Sequence, residues 1–391
     1  MKRSVCIILI FGAALSLLSG TAPGVFRSVL KSYLALDESR FGLLLGIGTF
    51  AGSIGALLAG VAARKTGPSN LLKPLFLVTG IGYAAVAFSD GFATAMLGLG
   101  LCGFGAQALI TASQGALAAA FPDAKRQVLA WQMVASSVAS MGFAFLCELI
   151  LSWSNNNQAR FGLMYHVAFM SVALCLFLCA PAFPKPSEEP GTEAKPEGLG
   201  GAIGSMPVIL SISALTLHSL ADNLLYPWIP RLLEQKEYAS FKPGYVLLAY
   251  SLAYVVSRTL LGFLKEKTFR RTFLCVPGFA GGLLIATGIM IGGRAMALAY
   301  IGGAFLWSTE YPAMLALLAG QVSKKLFTVC IAIVLAVSGV LTSIFSWLFG
   351  LALDRGILSL AQMFLFPAAL FVVCGAIGVL QSFRARNEVR I

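Results

Sequence analysis

Charge is scarce in this chain. Asp, Glu, Lys and Arg make up 11% of its 391 residues, where a water-soluble domain carries about 25%. Hydrophobic residues fill 58% of the positions instead, so the expected surroundings are lipid. Histidine is nearly absent, with 2 in the whole chain, and the 8 cysteines are scattered through apolar runs without a C-x-x-C pair. That leaves no metal-ligand constellation, and the cysteines read as buried free thiols. No Gly-rich loop follows a strand: Gly98, Gly100, Gly103 and Gly105 lie inside an apolar helix, which rules out a nucleotide cradle there. Neither a Ser–His pair nor a paired His at membrane depth suggests an enzyme, and no cofactor is expected.

The net charge of +12 does not point to nucleic acid, because the basic residues sit in short clusters between apolar runs rather than on one face. Met1-Lys2-Arg3 before an apolar run resembles a signal peptide, but the many hydrophobic segments that follow favour a first membrane helix. A helix needs about 20 apolar residues to cross the hydrocarbon core. Breaking the chain at charges and at Gly, Pro and Asn clusters predicts twelve spans: 5–33, 41–63, 73–89, 94–120, 128–152, 161–182, 205–230, 243–264, 272–292, 295–320, 326–350 and 360–383. The first contains Pro23, which predicts a kink.

Placing the N-terminus in the cytoplasm puts eighteen of the 28 Lys and Arg inside and nine outside, with Arg258 alone within a helix. That bias predicts both termini in the cytoplasm and an even number of spans in a plasma (inner) membrane. Residues 184–204 begin rich in Pro, Glu and Gly and read as a linker. They divide the chain into two hydrophobic parts, 1–183 and 205–391, each with six predicted helices.

The turn after the second span reads Gly60-Val61-Ala62-Ala63-Arg64-Lys65-Thr66-Gly67-Pro68, and that after the eighth reads Gly262-Phe263-Leu264-Lys265-Glu266-Lys267-Thr268-Phe269-Arg270-Arg271. Both resemble the signature of the major facilitator superfamily, in which a Gly is followed four residues later by an acid and then by basic residues. Glu266, Lys267 and Arg270 match it, and Arg258 stands four residues before Gly262. The first copy departs, with Arg64 and Lys65 where an acid and a base are the family's pattern, which puts charge-relay gating on that side in doubt. The two copies lie about 200 residues apart, as do the basic turns at Lys125 and Lys324, a shared offset that internal duplication predicts. The resemblance implies an all-α membrane protein of twelve helices in two six-helix bundles. A monomer working by alternating access around a midplane site is the implied unit. At fewer positions (Ala221-Asp222, Trp228-Ile229-Pro230, Pro312, Gly339, Gly350 and Asp354) the chain is similar to the fucose/glucose permease branch.

Acids at membrane depth are costly, so they face a water-filled cavity or a partner. Glu310 lies midway along the tenth span, beside Trp307 and Pro312. Pro312 has no N–H, so the Ser308 carbonyl loses its helical partner, and a kink with a bare carbonyl suits a binding site. Asp222 has His218 one turn before it and Tyr226 one turn after, on one face. Glu310, Asp222 and His218 are therefore the candidate proton carriers; the structural alternatives are a packing hydrogen bond for the first and a helix-end cap for the others. Tyr226-Pro227-Trp228-Ile229-Pro230 predicts a broken, gate-like end to the seventh span. Arg258 shares a stripe with Tyr250 and Tyr254; it is long enough to snorkel to the headgroups, and pairing with Glu310 is open. Glu148, near the outer end of the fifth span, reads as interfacial.

Uncharged stripes suit a neutral solute: Gln107, Thr111 and Gln114 on the fourth span, and Gln132, Ser136 and Ser140 on the fifth. Hydrogen bonding between helices explains such residues equally well. Within the resemblance, spans 1, 4, 7 and 10 line the cavity, making Gln107, Thr111, Gln114, Tyr226, Trp307 and Arg27 candidate substrate contacts, to which the stripe on the fifth span adds Gln132. Gly60, Arg64, Lys65, Gly67, Arg258, Gly262, Glu266, Lys267, Arg270 and Pro312 are the candidate gating and structural positions. The expected function is secondary transport of a small polar, sugar-like or other metabolite, with protons as the coupling partner. A proton-antiporting exporter of amphipathic compounds is the first alternative, weakened because Ser136-Ser137-Val138-Ala139-Ser140-Met141-Gly142 stands where antiporters carry a Gly-Pro-rich motif. A non-transporting sensor, suggested by Arg64, is the second.

Overall fold

The computed structural model of the chain describes residues 27–121, 124–154, 157–179, 204–235, 241–263 and 272–388. Most of the first predicted span with Pro23, nearly all of the 184–204 linker, and Glu266, Lys267 and Arg270 lie outside these residues, as does the side chain of Arg27. The described residues form the helices α1 (Arg27–Tyr33), α2 (Glu38–Thr66), α3 (Pro68–Ala87), α4 (Phe92–Ala120), α5 (Lys125–Ser154), α6 (Gln158–Cys179), α7 (Met206–Leu233), α8 (Pro243–Phe263), α9 (Thr272–Ile291), α10 (Gly293–Trp307), α11 (Glu310–Gln321), α12 (Lys324–Asp354) and α13 (Leu360–Glu388). Nine are long and apolar enough to cross a membrane. The tenth predicted span appears as two shorter helices, α10 and α11, divided at Ser308 and Thr309. Large apolar side chains stand exposed on the outer faces, Leu97, Leu163, Phe263 and Met290 among them, as a hydrocarbon surrounding permits. Cys102, Cys147, Cys330 and Cys374 are buried as expected, but Cys175 is on the exposed surface.

The helices pack as two bundles with matching neighbours. In one, α2 and α3 pack on α4, and α3 on α6; in the other, α8 and α9 pack on α10, and α9 on α13. Two seams join the bundles, α2 against α12 and α8 against α5. Each is crossed at a glycine: Gly60 of α2 faces Ala332 of α12, and Gly262 of α8 faces Trp131 of α5. These two glycines were singled out for a turn motif; what they do here is let helices of opposite bundles approach. Gly67 has a different task. Its φ of 84° ends α2 and turns the chain into Pro68, the first residue of α3. Arg64 and Lys65 are exposed in the last turn of α2. The end of the molecule holding the α2–α3, α4–α5 and α11–α12 turns is called the basic end below, and the opposite one the far end.

The gate-like break predicted at Tyr226–Pro230 does not occur. Helix α7 runs through Pro227 and Pro230 to Leu233. Each proline removes a single backbone donor, while Trp228, Ile229, Leu232 and Leu233 are all buried, with Trp228 edge-on to Phe41 of α2 and Phe349 of α12. Tertiary packing outweighs the local signal.

Candidate functional site

One face of α7 carries His218, Asp222 and Tyr226 at successive turns, and all three line a cavity of about 330 Å³ between the bundles. Asp222 is oriented by its neighbours on α8. Its Oδ1 accepts hydrogen bonds from the hydroxyls of Tyr250 and Tyr254, the latter at 2.8 Å. Tyr254 in turn accepts from Trp307 Nε1 at 2.6 Å, and Tyr250 stacks on Tyr300 at 4.6 Å. The carboxylate is thus held in one rotamer by an aromatic layer whose faces are occupied by one another. One turn away, His218 Nδ1 pairs with Glu310 Oε2 at 2.9 Å. Glu310 is 1% exposed and lies behind the imidazole, and its Oε1 has no hydrogen-bond partner.

Arg258 of α8 occupies the junction of the bundles. Its guanidinium lies 4.2 Å from the centre of the Tyr254 ring. Nε donates to the Ser308 carbonyl at 3.2 Å, the carbonyl that Pro312 deprives of a helical donor. Nη1 donates to Ser137 Oγ at 2.9 Å and reaches the Met133 carbonyl at 3.4 Å, both on α5 of the other bundle. One side chain therefore reads a broken helix in its own bundle and a serine in its neighbour.

The opposite wall is neutral. α4 contributes Gln107 and Gln114, α5 contributes Ser136, Ser137 and Ser140, and α2 contributes Thr49. Among the described residues, every ionisable group lining the cavity comes from the C-terminal bundle. Gln107 Oε1 and Thr342 Oγ1 of α12 are buried without a hydrogen-bond partner. Leaving such a group unpaired costs about 1–3 kcal/mol, so two orphaned atoms on residues around one cavity suit a polar occupant. The volume fits a small ligand, for which pockets of about 300–1,000 Å³ are usual.

The family model described as Major Facilitator Superfamily matches residues 9–326. The chain belongs to the major facilitator superfamily. No curated protein sequence matches it. Among solved structures, FucP, described as the fucose:proton symporter of E. coli, is similar in its outward conformation at 15% identity and a TM-score of 0.72, covering 96% of this chain and 98% of that one. The proton:xylose symporter XylE bound to 6-bromo-6-deoxy-D-glucose is similar at 12% identity and a TM-score of 0.74, covering 98% and 94%. Another D-xylose–proton symporter structure gives 14% identity and a TM-score of 0.74 over 96% and 97%. The superfamily membership makes the protein an integral membrane protein and a secondary transporter, not an enzyme.

Within this major facilitator fold the predicted site residues divide into two groups. His218, Asp222, Tyr226, Gln107, Gln114 and Arg258 meet at the cavity. Thr111, Gln132, Trp307 and Glu310 do not line it. Thr111 turns its hydroxyl back to the Gln107 carbonyl at 2.9 Å, and Gln132 Nε2 donates to Ser113 at 2.7 Å, tying α5 to α4. Trp307 lies one layer back, stacked on Phe371 at 4.4 Å. Arg258 neither snorkels nor pairs with Glu310; Glu310's partner is His218. Glu148 is pressed into the α5–α8 seam against Gly244. Ser219, Asn223, Ser251, Thr49, Thr342 and Ser346 also line the cavity and escaped the sequence reading. Ser219 and Asn223 follow His218 and Asp222 by one residue, a signal that was available; those on α2 and α12 have only an apolar run around them.

Proposed function

We propose that this secondary transporter moves a small polar solute, sugar-like or another hydroxyl-bearing metabolite, by alternating access around the central cavity and in symport with protons. The observation that carries the substrate class is the unpartnered Oε1 of Gln107 and Oγ1 of Thr342, both on residues lining a cavity whose N-terminal wall is uncharged. Such groups donate to and accept from hydroxyls without demanding a charge. The likeness in fold to fucose and xylose proton symporters supports the same class. In this reading His218 is the cavity-facing station of the proton path and Glu310 the store behind it, since the bare Oε1 leaves room for a proton. Asp222, fixed by its two tyrosines, is the second acid that substrate meets. Residues 1–183 and 205–391 are the rocking bundles, joined by a 184–204 linker. A monomer in the plasma membrane with both termini in the cytoplasm completes the picture.

The test is external pH and radiolabelled flux in proteoliposomes offered hexoses, pentoses, polyols, amino acids and organic acids. Alkalinisation with saturable uptake of a hydroxylated class is expected. Flux without pH movement removes the proton coupling, and saturable uptake of another class alone removes the sugar-like substrate.

A further inference from the structure

Alternating access requires the two bundles to part at each end in turn, and the seams are held differently at their two ends. At the basic end the described residues meet at the glycine crossings of Gly60, Gly262 and Gly115, in the edge-on pair Trp131–Phe263, and through a bond from Lys125 Nζ to the Ala319 carbonyl, 3.0 Å. At the far end each seam is closed by a carboxylate from one bundle set against the start of a helix in the other. Asp354, the last residue of α12, accepts from the Ser39 amide at 2.7 Å and the Glu38 amide at 3.2 Å, at the start of α2. The Glu148 carboxylate of α5 lies against the backbone of Gly244 at the start of α8. Its Oε1 occupies the space that a Cβ at 244 would take, so a side chain there would push the carboxylate aside.

The two arrangements are copies of one another. Ser39 and Gly244, and Glu148 and Asp354, are each separated by about 205 residues, close to the offset of the repeat that relates Gly60 to Gly262. The duplication that maps α2 onto α8 and α5 onto α12 therefore maps one carboxylate cap onto the other. The first amides of a helix are unpaired donors at the positive end of its dipole, where a carboxylate is both hydrogen-bonded and electrostatically favoured. The α2 cap is reinforced by Glu38, which bridges Lys31 at 3.0 Å and Arg231 of α7 at 3.4 Å.

We propose that Asp354 and Glu148 are a matched pair of latches that hold the far mouth of the cavity closed, and that opening to that side breaks both. The idea rests on the alternating-access reading above. It assigns to two acids outside the cavity the setting of the balance between the conformations, without contact with substrate.

The experiment uses the full chain in nanodiscs, in a background with native cysteines replaced that is first shown to keep flux. Spin labels at Ser152 and Phe241, exposed far-end positions on α5 and just before α8, report the far-end separation. A second pair at Lys65 and Ser323 reports the basic end. Asp354→Asn combined with Glu148→Gln is expected to raise the ratio of long to short far-end distances about tenfold, with smaller rises in each single variant. A folded double variant with the parent's far-end distribution overturns the latches. Should the double variant fail to fold, the singles decide by the same criterion. If the parent itself never shows two separations at either end, with or without solutes, alternating access fails instead.

Discussion

Asp222 and Glu310 are acids of the same bundle, yet their surroundings set them different tasks. Asp222 touches the cavity and is fixed by two tyrosine hydroxyls; Glu310 is sealed behind His218 with one bare oxygen. If Glu310 stores the coupling proton, Glu310→Gln abolishes accumulation driven by a pH gradient but leaves solute exchange at equal concentrations intact, as counterflow in proteoliposomes will show. Loss of both fluxes together would assign Glu310 to structure alone. On the neutral wall, Gln107→Ala removes one substrate hydrogen bond worth about 1 kcal/mol and is expected to weaken binding about fivefold, measured by calorimetry on purified protein. Helical spacing made part of this site legible: His218, Asp222 and Tyr226 share a face in sequence and in space. It failed at Thr111, whose short side chain bonds back to its own helix, and at Gln132, whose long one reaches a neighbouring helix first. Spacing fixes a direction but not a reach, and it says nothing of which partner stands nearest.

At the scale of helices, two proline signals had opposite outcomes for one reason. Pro227 and Pro230 leave α7 intact because its end is buried in aromatic packing, whereas the tenth span parts just before Pro312, where Arg258 supplies the donor that the Ser308 carbonyl lacks. The sequence announced a freed carbonyl at Ser308, but not that an arginine fifty residues earlier would take it. Pro312→Ala restores an amide that competes for that carbonyl. It is expected to lower substrate flux and to loosen the Arg258–Ser137 contact across the bundles. Arg258→Lys tests the same junction from the other side. A lysine has no planar fork to serve Ser308 and Ser137 at once, so the expected result is a lower midpoint in a thermal unfolding assay in detergent.

For the whole molecule, the order of the spans among the described residues was legible because the hydrocarbon core imposes a length on every span and the basic turns mark one end. What composition did not reveal was the seam, since Gly60 and Gly262 read as turn residues until their partners Ala332 and Trp131 are seen. The orientation proposed from the Lys and Arg count has its own check. Cysteines introduced at Ser69 and Ser323, near basic-end turns, are expected to react with a membrane-impermeant reagent only when cells are opened. One introduced at Ile357, exposed at the far end, is expected to react in intact cells. The reverse pattern would invert the protein in its membrane.

The paired seams carry a consequence for how damage is distributed along the gene product. Because Gly60 and Gly262 cross matching helices at matching depth, a bulky replacement at either wedges the same kind of joint. Tolerance to substitution, plotted along the chain, should therefore rhyme with itself: a trough near 60 is answered near 262, and one at Glu148 is answered at Asp354. Around His218 and Asp222 the rhyme should break, since the matching stretch of the first half, near Ser16 and Gly20, carries neither an imidazole nor an acid.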